Sequence, residues 1–148
     1  MKAVVQRVKR TALTVNGELV SEIPFGLTVF FGVKTGDTRA QAEYLAKKIA
    51  NLRIFEDENG KMNLSVKDVG GEVLFVSQFT LYGDASHGNR PSFIEAARPE
   101  EAEPLYLYAA DRLRQNGVPV KLGIFGADMK IEQFNDGPVT ILLHADGK

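Results

Sequence analysis

Three polar side chains, Ser77, Gln78 and Thr80, stand at the end of the most strand-like run in the chain, residues 72–81. A strand over that range places Ser77 and Phe79 on one face of a sheet, with Gln78 and Thr80 on the other. A sheet fixes the geometry of such terminal side chains, so this segment is a candidate for catalysis or binding. The alternative is ordinary polarity at a strand edge, with Thr80 favoured there for its β-branched side chain.

A second unusual segment, Asn135-Asp136-Gly137-Pro138, separates two predicted strands at 129–134 and 139–144. Asp-Gly is a common turn dipeptide, which favours a hairpin turn. Pro138 would then open the last strand, where it removes a ladder donor. A Gly-Pro bond also accepts the cis isomer at a cost of only about 0.5–1 kcal/mol, and a cis bond would redirect the two flanking carbonyls. The sequence leaves both interpretations open.

Composition excludes several common kinds of active site. The chain has no cysteine, and therefore no disulfide, thiolate metal site or cysteine nucleophile. Its two histidines, His87 and His144, are too few for a three-histidine zinc site, and neither lies near a glycine-flanked serine. The Asp57-Glu58 pair lacks the other ligands of a calcium-binding loop, which favours a charged turn. We therefore expect neither a metal nor a cofactor.

Length and charge limit the class of protein. The 148 residues predict one domain spanning 1–148. A net charge of −1 does not favour a nucleic-acid coat protein, so DNA is not an expected partner and any RNA contact must come from a local patch. No segment reaches the roughly 18 apolar residues that span a bilayer, and the first residues alternate like a strand instead of an export signal. These features predict a cytoplasmic protein with no membrane partner.

Turn signals and apolar spacing predict mostly strands. Asn16-Gly17 marks a type I′ hairpin between strands 11–15 and 18–23, and the apolar run 27–33 fits a strand buried on both faces. Further strands are predicted at 53–56, 61–66, 72–81, 119–125, 129–134 and 139–144.

Two segments have helical spacing. One covers 38–53 and begins with Thr38 in a capping-box pattern. The other is predicted to start between Pro99 and Pro104 and to end at Asn116-Gly117. About nine strands with hairpin-length connections, two or three helices and no βαβ repeat predict an α+β fold of mostly antiparallel sheets. So few helices leave sheet surface uncovered, which suggests self-association.

Six motifs together point to one family. In the order of the chain they are AVVQRV at 3–8, NLRIFEDENGKMNLSV at 51–66, SQFTLYGD at 77–84, RPSF at 90–93, FGADM at 125–129 and NDGPVT at 135–140. The order and content of these motifs resemble those of the D-aminoacyl-tRNA deacylases, also called D-tyrosyl-tRNA deacylases. The likeness extends over essentially the whole chain.

The resemblance implies a compact, barrel-like β unit with helices that works as a homodimer on the acceptor end of aminoacyl-tRNA. The implied reaction is hydrolysis of the ester between a D-amino acid and the terminal adenosine. It also implies removal of glycine mischarged onto tRNA for alanine. No cofactor is implied.

The resemblance also implies roles for individual residues. Ser77 to Thr80 should form the floor of the pocket. Gly137 and Pro138, joined by a cis bond, should enter the partner subunit's pocket and hold the substrate α-ammonium with their carbonyls. Arg7 should help to hold that Gly-Pro unit, and Met129 of the FGADM motif is a further orienting residue.

A site without a histidine base needs another proton acceptor. The ribose 2′-hydroxyl beside the ester can serve, in which case catalysis is substrate-assisted and the protein supplies position and oxyanion donors. The backbone N–H groups of Phe79 and Thr80 are candidates for those donors. Thr80 as a direct nucleophile ranks second, because the sequence shows no base that would activate it.

Chirality follows from the same geometry. Once the ammonium and ester are fixed, an L-substrate must direct its side chain to where a D-substrate carries hydrogen, and backbone placed there excludes it. Glycine must be admitted. We expect Gly137 to provide room in that crowded pocket, where a Cβ would project toward the substrate.

The sequence departs from the family just before RPSF. The family commonly has a more basic stretch there, whereas this chain has Ser-His-Gly-Asn at 86–89, so that Arg90 carries the one full positive charge of this segment. Lys2, Lys9 and Arg10 are alternative phosphate contacts or ordinary solvated charges. Two other functions stay open at this point: a non-catalytic dimeric module that binds RNA ends, and a metal-dependent hydrolase, which the scarcity of ligands disfavours.

Overall fold

The computed structural model describes residues 1–146. Within these residues, eight strands and two α-helices form the fold, with a 3-10 turn at Phe79–Tyr82. In chain order they are β1 Lys2–Val15, β2 Glu18–Ile23, β3 Gly26–Gly32, α1 Arg39–Asn51, β4 Phe55–Glu56, β5 Met62–Leu64, β6 Glu72–Ser77, α2 Pro99–Gln115, β7 Val120–Leu122 and β8 Lys130–His144.

The sheet is organised around β1, a strand of 14 residues. Its first half pairs with β3 and its second half with β2, both antiparallel, while β8 pairs antiparallel along the opposite edge. The predicted hairpin is confirmed. Asn16 and Gly17 have φ angles of 52° and 80°, as a type I′ turn requires.

Beyond β3 the sheet becomes parallel. β6 lies parallel to β3, and β7 lies parallel to β6, so that the order is β2-β1-β3-β6-β7. The prediction of hairpin-length connections alone was wrong for these pairs, because the two crossovers pass through α1 and α2. The fold class is confirmed: two helices accompany mostly antiparallel strands. Ser21 Oγ donates to the Leu122 carbonyl (2.6 Å), which joins β2 to β7 and nearly closes the sheet into a barrel.

Both helices cover one side of the sheet. Thr38 and Gln41 form the predicted capping box at the start of α1. α2 begins at Pro99 and continues through Pro104, which removes only the bond to the Glu100 carbonyl four residues back. Neither helix within residues 1–146 is long and apolar enough to cross a membrane.

The main hydrophobic core lies between the sheet and the helices, and a smaller cluster fills the barrel. The smaller cluster consists of Val8, Leu13, Ile23, Leu74 and Val76, all at most 1% exposed.

Gly26 shows how tightly β3 and β6 approach. Its φ is +141°, and a Cβ at this position would lie 1.9 Å from the Glu72 carbonyl oxygen.

We expect Gly26→Ala to lower the free energy of unfolding by about 3 kcal/mol or more, because backbone atoms cannot move aside. Gly36→Ala is the control: its φ is +90° but a Cβ there meets open space, so only conformational strain of about 1 kcal/mol is expected. Urea unfolding measures both. Equal losses would contradict the steric explanation.

Candidate active site

A cavity of about 550 Å³ opens where β3 and β6 end. This volume lies in the range of small-molecule sites. Its walls are largely apolar, with two polar side chains on the floor and two charged ones at the rim. The lining residues are Phe31, Val33, Val76, Ser77, Gln78, Phe79, Phe93, Ala96, Ala97, Arg98, Pro99, Ala102, Phe125, Gly126, Ala127, Asp128, Met129 and Ile131.

The floor of this cavity is made where β6 turns into the 3-10 turn. The strand prediction for 72–81 was wrong beyond Ser77, because the chain leaves the sheet after the Gln78 amide donates to the Phe31 carbonyl (2.8 Å). The predicted alternation of faces therefore does not hold. Ser77, Gln78 and Phe79 line the cavity, while Thr80 is exposed and is not among the lining residues of the described chain.

Thr80 is held by its neighbours. Gln78 Nε2 donates a hydrogen bond to Thr80 Oγ1, and the Thr80 carbonyl accepts from the Gly83 amide (2.9 Å). At the start of a 3-10 turn the first amides have no acceptor within the turn. The backbone N–H groups of Phe79 and Thr80 therefore have no acceptor within this turn.

The RPSF motif packs against the turn. Phe93 meets Phe79 edge-on at 5.2 Å between ring centroids. Asp84 and Ser92 exchange two backbone hydrogen bonds of 2.8 Å, which close the base of the loop that carries His87. Hydrogen bonds from the Ser86 side chain and amide hold the pKa of the Asp84 carboxyl below its usual value.

Met129 forms part of the opposite wall. A Cβ on Gly123 would lie 2.6 Å from Met129 Sδ, so glycine at 123 lets the methionine lie against the backbone. Met129 thus lines the same cavity as Ser77, Gln78 and Phe79, and its orienting role stays a prediction. Among residues 1–146 no group of three or more His, Asp or Glu side chains could hold a metal ion.

Gly137 and Pro138 lie inside β8, not in a turn. The hairpin interpretation was wrong, because 130–134 and 139–144 belong to one strand that pairs along β1. Where Arg7 interrupts the pairing, the four residues 136–139 occupy the space opposite it. They form a bulge on the strand. The Gly137–Pro138 peptide bond is cis.

Arg7 anchors this bulge from behind. The side chain is buried, and Nε donates to the Asp136 carbonyl (3.0 Å) while Nη1 donates to the Ile54 carbonyl (2.8 Å). The Asp136 carboxylate lies 3.5 Å away. A Cβ on Gly137 would approach Val139 (2.8 Å) and Arg7 Nη2 (3.2 Å). Within this chain, a side chain at position 137 would therefore collide with its own neighbours.

The bulge and the cavity do not meet within one chain. Neither Arg7, Gly137 nor Pro138 is among the lining residues of the described chain. Gly137 and Pro138 are exposed, and on either side of them Phe134 and Leu142 leave 60% and 65% of their surface exposed. Within residues 1–146, β8 pairs with β1 alone.

A family model described as D-Tyr-tRNA(Tyr) deacylase matches residues 4–144. The chain belongs to the D-Tyr-tRNA(Tyr) deacylase family. This confirms the family and the enzyme class indicated by the motifs, an ester hydrolase acting on aminoacyl-tRNA.

Relatives and solved structures agree with the family assignment. The chain is 57% identical to the D-aminoacyl-tRNA deacylase of Halalkalibacterium halodurans, over 98% of this chain and 99% of that one. It is 55% identical to that of a Geobacillus species, over 100% and 97%. A structure described as a c-Myc DNA unwinding element binding protein superposes with a TM-score of 0.92 at 45% identity, covering 99% and 100%. A probable eukaryotic D-amino acid tRNA deacylase shares the fold, with a TM-score of 0.82 at 17% identity and coverage of 96% and 97%.

One wall of this cavity was not predicted from the sequence. Ala97, Arg98, Pro99 and Ala102 line it from the start of α2. The signal was Pro99, which fits a first helical position. Pro104 also fits a first helical position, so the start of the helix was undecided. The sequence therefore did not predict that these residues lie at the cavity.

Arg7 gives the first test of the deacylase site. Arg7→Lys keeps the charge but cannot bind the Ile54 and Asp136 carbonyls together. We expect the rate of D-tyrosyl-tRNA hydrolysis to fall at least about tenfold and the free energy of unfolding to fall by about 1–3 kcal/mol, as buried acceptors lose a partner. Arg10→Lys is the stability control, since its ion pair with Glu22 is open to solvent and contributes about 1 kcal/mol or less. A wild-type rate in Arg7→Lys would show that Arg7 does not position the bulge for catalysis.

Proposed function

We propose that the protein hydrolyses the ester between a D-amino acid and the terminal adenosine of tRNA, in a site that two subunits complete together. The observation that carries this proposal is the separation of two parts of one chain. The cavity is lined by the β6 end and the start of α2, whereas the anchored Gly137–Pro138 bulge faces outward at the edge of the sheet.

A homodimer explains this separation. An unpaired strand edge beside exposed apolar side chains favours association, and β8 offers both around the bulge. Arg7 fixes the bulge without covering it. In a symmetric dimer the bulge of each subunit would enter the cavity of the other, so that both sites contain the same groups.

The bulge would then recognise the substrate by main-chain atoms. The carbonyls of Gly137 and Pro138 would accept hydrogen bonds from the α-ammonium. The amino-acid side chain would then make no specific contact with the bulge. With ammonium and ester fixed, an L-amino acid would direct its side chain into backbone, whereas a D-amino acid would not. Discrimination by a steric clash can exceed the discrimination from attractive contacts, to which one methylene contributes about 1–3 kcal/mol. Glycine has no side chain that could clash with this backbone, so glycine mischarged onto tRNA for alanine is a second proposed substrate.

The chemistry requires an oxyanion site and a proton acceptor. The amides of Phe79 and Thr80, free at the start of the 3-10 turn, would stabilise the negative charge on the ester oxygen. The side chain of Gln78 would hold Thr80 in place, and Ser77 would complete the floor. No histidine lines the cavity of the described chain. Water would therefore attack the ester carbon and give its proton to the ribose 2′-hydroxyl, which would pass its own proton to the departing 3′-oxygen as the ester bond breaks.

The acceptor end of tRNA would approach the rim of the cavity. Arg98 stands there with 82% of its side chain exposed. Its guanidinium also lies 3.6 Å from the Glu100 carboxylate. Of the cations considered from the sequence, Arg10 forms an ion pair with Glu22, and Lys2 lies over the Tyr82 ring at 4.6 Å. We place this activity in the cytoplasm, where aminoacyl-tRNA is used.

Chiral selection is the first test of the proposed function. With excess enzyme, D-tyrosyl-tRNA should be hydrolysed at least about 100-fold faster than L-tyrosyl-tRNA, because only the L-form clashes with backbone. The rate should not change with EDTA. Tight binding of tRNA ends or of duplex DNA without hydrolysis would instead support a nucleic-acid-binding module, and loss of activity in EDTA would support a metal-dependent hydrolase.

Mixed dimers test the two-subunit site. A variant of the cavity, Thr80→Ala, and a variant of the bulge, Gly137→Ala, should each be impaired as homodimers. Mixing them should restore one intact site in each heterodimer, which amounts to about half of the wild-type rate per dimer. The control is a mixture in which both subunits carry Thr80→Ala. Heterodimers that form, as seen by native mass spectrometry, but remain inactive would overturn the cross-subunit assignment.

Variants of Thr80 and a substrate without the 2′-hydroxyl together test which group accepts the proton. Thr80→Ser should be nearly neutral, because a hydroxyl at this position can still accept the hydrogen bond from Gln78. Thr80→Ala loses that bond and with it the fixed position of the two amides, so its rate should fall about 10–1000-fold, the range for losing one oxyanion donor. A D-aminoacyl-tRNA whose terminal ribose lacks the 2′-hydroxyl should be hydrolysed far more slowly by the wild-type protein. Full activity on that substrate would overturn the substrate-assisted mechanism. A trapped aminoacyl ester on Thr80 would also overturn it and would identify Thr80 as the nucleophile.

A further inference from the structure

Two consecutive residues of β1 hold the bulge at 136–139 from opposite faces of the sheet. Arg7 points to the buried side, where it binds the Asp136 carbonyl (3.0 Å). Neighbouring side chains on a strand point to opposite faces, so Gln6 is directed to the other side, where it is half-buried. Gln6 belongs to the AVVQRV motif, and the chemistry proposed above does not use it.

On this second face, a chain of four polar side chains joins the two ends of the bulge. Gln133 Nε2 donates to Oδ1 of Asn135, the residue before the bulge (2.7 Å), and also to Gln6 Oε1 (2.7 Å). Gln6 Nε2 donates in turn to Oγ1 of Thr140, the residue after the bulge (3.4 Å). An amide NH₂ group has two donors, so Gln133 can make both of its bonds. We call these four residues the amide chain.

Backbone pairing does not fix the distance between the two ends of the bulge. The register of β1 with β8 shifts here, because Gln6 lies opposite Thr140 whereas Val8 lies opposite Asn135. The extra residues of a bulge are left out of the ladder. Their position therefore depends on side-chain contacts, which Arg7 provides within the bulge and the amide chain provides at its two ends.

The amide chain is not arranged for the greatest stability of one subunit. Gln133 Oε1 is buried and has no hydrogen-bond partner in the part of the chain that the structure describes. A buried acceptor without a partner lowers stability, and such groups are uncommon enough to need an explanation. A role in positioning explains the network better than a role in stability.

We propose that Gln6 is a positioning residue of the deacylase site, which fixes the two ends of the bulge and thereby the direction of the Gly137 and Pro138 carbonyls. This inference rests on the proposed function, in which those carbonyls hold the α-ammonium of the substrate. Gln6 itself needs no contact with the substrate, because it acts through Gln133 and Thr140.

Gln6→Met keeps an unbranched side chain of similar length and removes both hydrogen bonds of Gln6. Gln115→Met is the matched control, since Gln115 is exposed at the end of α2 and its Oε1 accepts from Arg112 (2.8 Å). Single-turnover hydrolysis of D-tyrosyl-tRNA over a range of enzyme concentrations separates the half-saturating concentration from the maximal rate constant. Circular dichroism shows that each variant is folded.

We expect Gln6→Met to raise the half-saturating concentration at least about tenfold and to change the maximal rate constant by less than about threefold, because the ammonium contact precedes the reaction. Gln115→Met should match the wild type in both quantities. An unchanged half-saturating concentration in Gln6→Met would overturn the positioning role. So would a loss that lies mainly in the maximal rate constant, since that is the sign of a general distortion of the site.

Gln133→Met breaks the same chain at its centre and keeps the inference testable should Gln6→Met not fold. It also removes the buried Oε1 that has no partner, which favours a folded variant. The same shift in half-saturating concentration is expected, with no further loss in the double variant, because both substitutions interrupt one chain. A wild-type value in Gln133→Met would contradict the inference. Failure of the wild type and of Gln115→Met to hydrolyse D-tyrosyl-tRNA would instead overturn the proposed function.

Discussion

A buried guanidinium in the middle of β1 is the constraint on which the arrangement of the site depends. A charge removed from water must be given hydrogen-bond partners, and Arg7 obtains them from the Ile54 and Asp136 carbonyls, which lie 47 and 129 residues away in the chain. To bring the second of these into reach, β8 must leave regular pairing with β1. The bulge at 136–139 is the result, and it presents Gly137 and Pro138 at the surface.

The same strand links this bulge to the cavity. β1 holds β8 on one edge and β3 on the other, and β3 carries β6, whose end forms the cavity floor. The sheet therefore fixes both parts of the proposed site while keeping them apart within one chain. In the proposed function, a second copy of the chain would bring them together, so that activity would depend on association and the chiral filter would consist of backbone atoms.

Local signals in the sequence were sufficient for some elements and not for others. The Asn16-Gly17 turn and the capping box at Thr38 depend on neighbours in the chain, and both were predicted. The end of β6 at Ser77 was not predicted, because it depends on the Phe31 carbonyl of the neighbouring strand. Nor was the continuous β8, because turn residues at Gly137 and Pro138 also suit a bulge and the choice between them is made by Arg7, far away in sequence. The family motifs supplied the site residues that pattern alone left open.

The central claim is that the bulge of one subunit completes the cavity of the other. The most direct measurement is a crystal structure of the protein with D-tyrosine joined to adenosine by an amide, which cannot be hydrolysed as the ester is. The account predicts the amide carbonyl beside the Phe79 and Thr80 amides, with the α-ammonium held by the carbonyls of Gly137 and Pro138 of the partner subunit. An analogue whose ammonium is bound by one subunit alone, with both bulges in solvent, would contradict it.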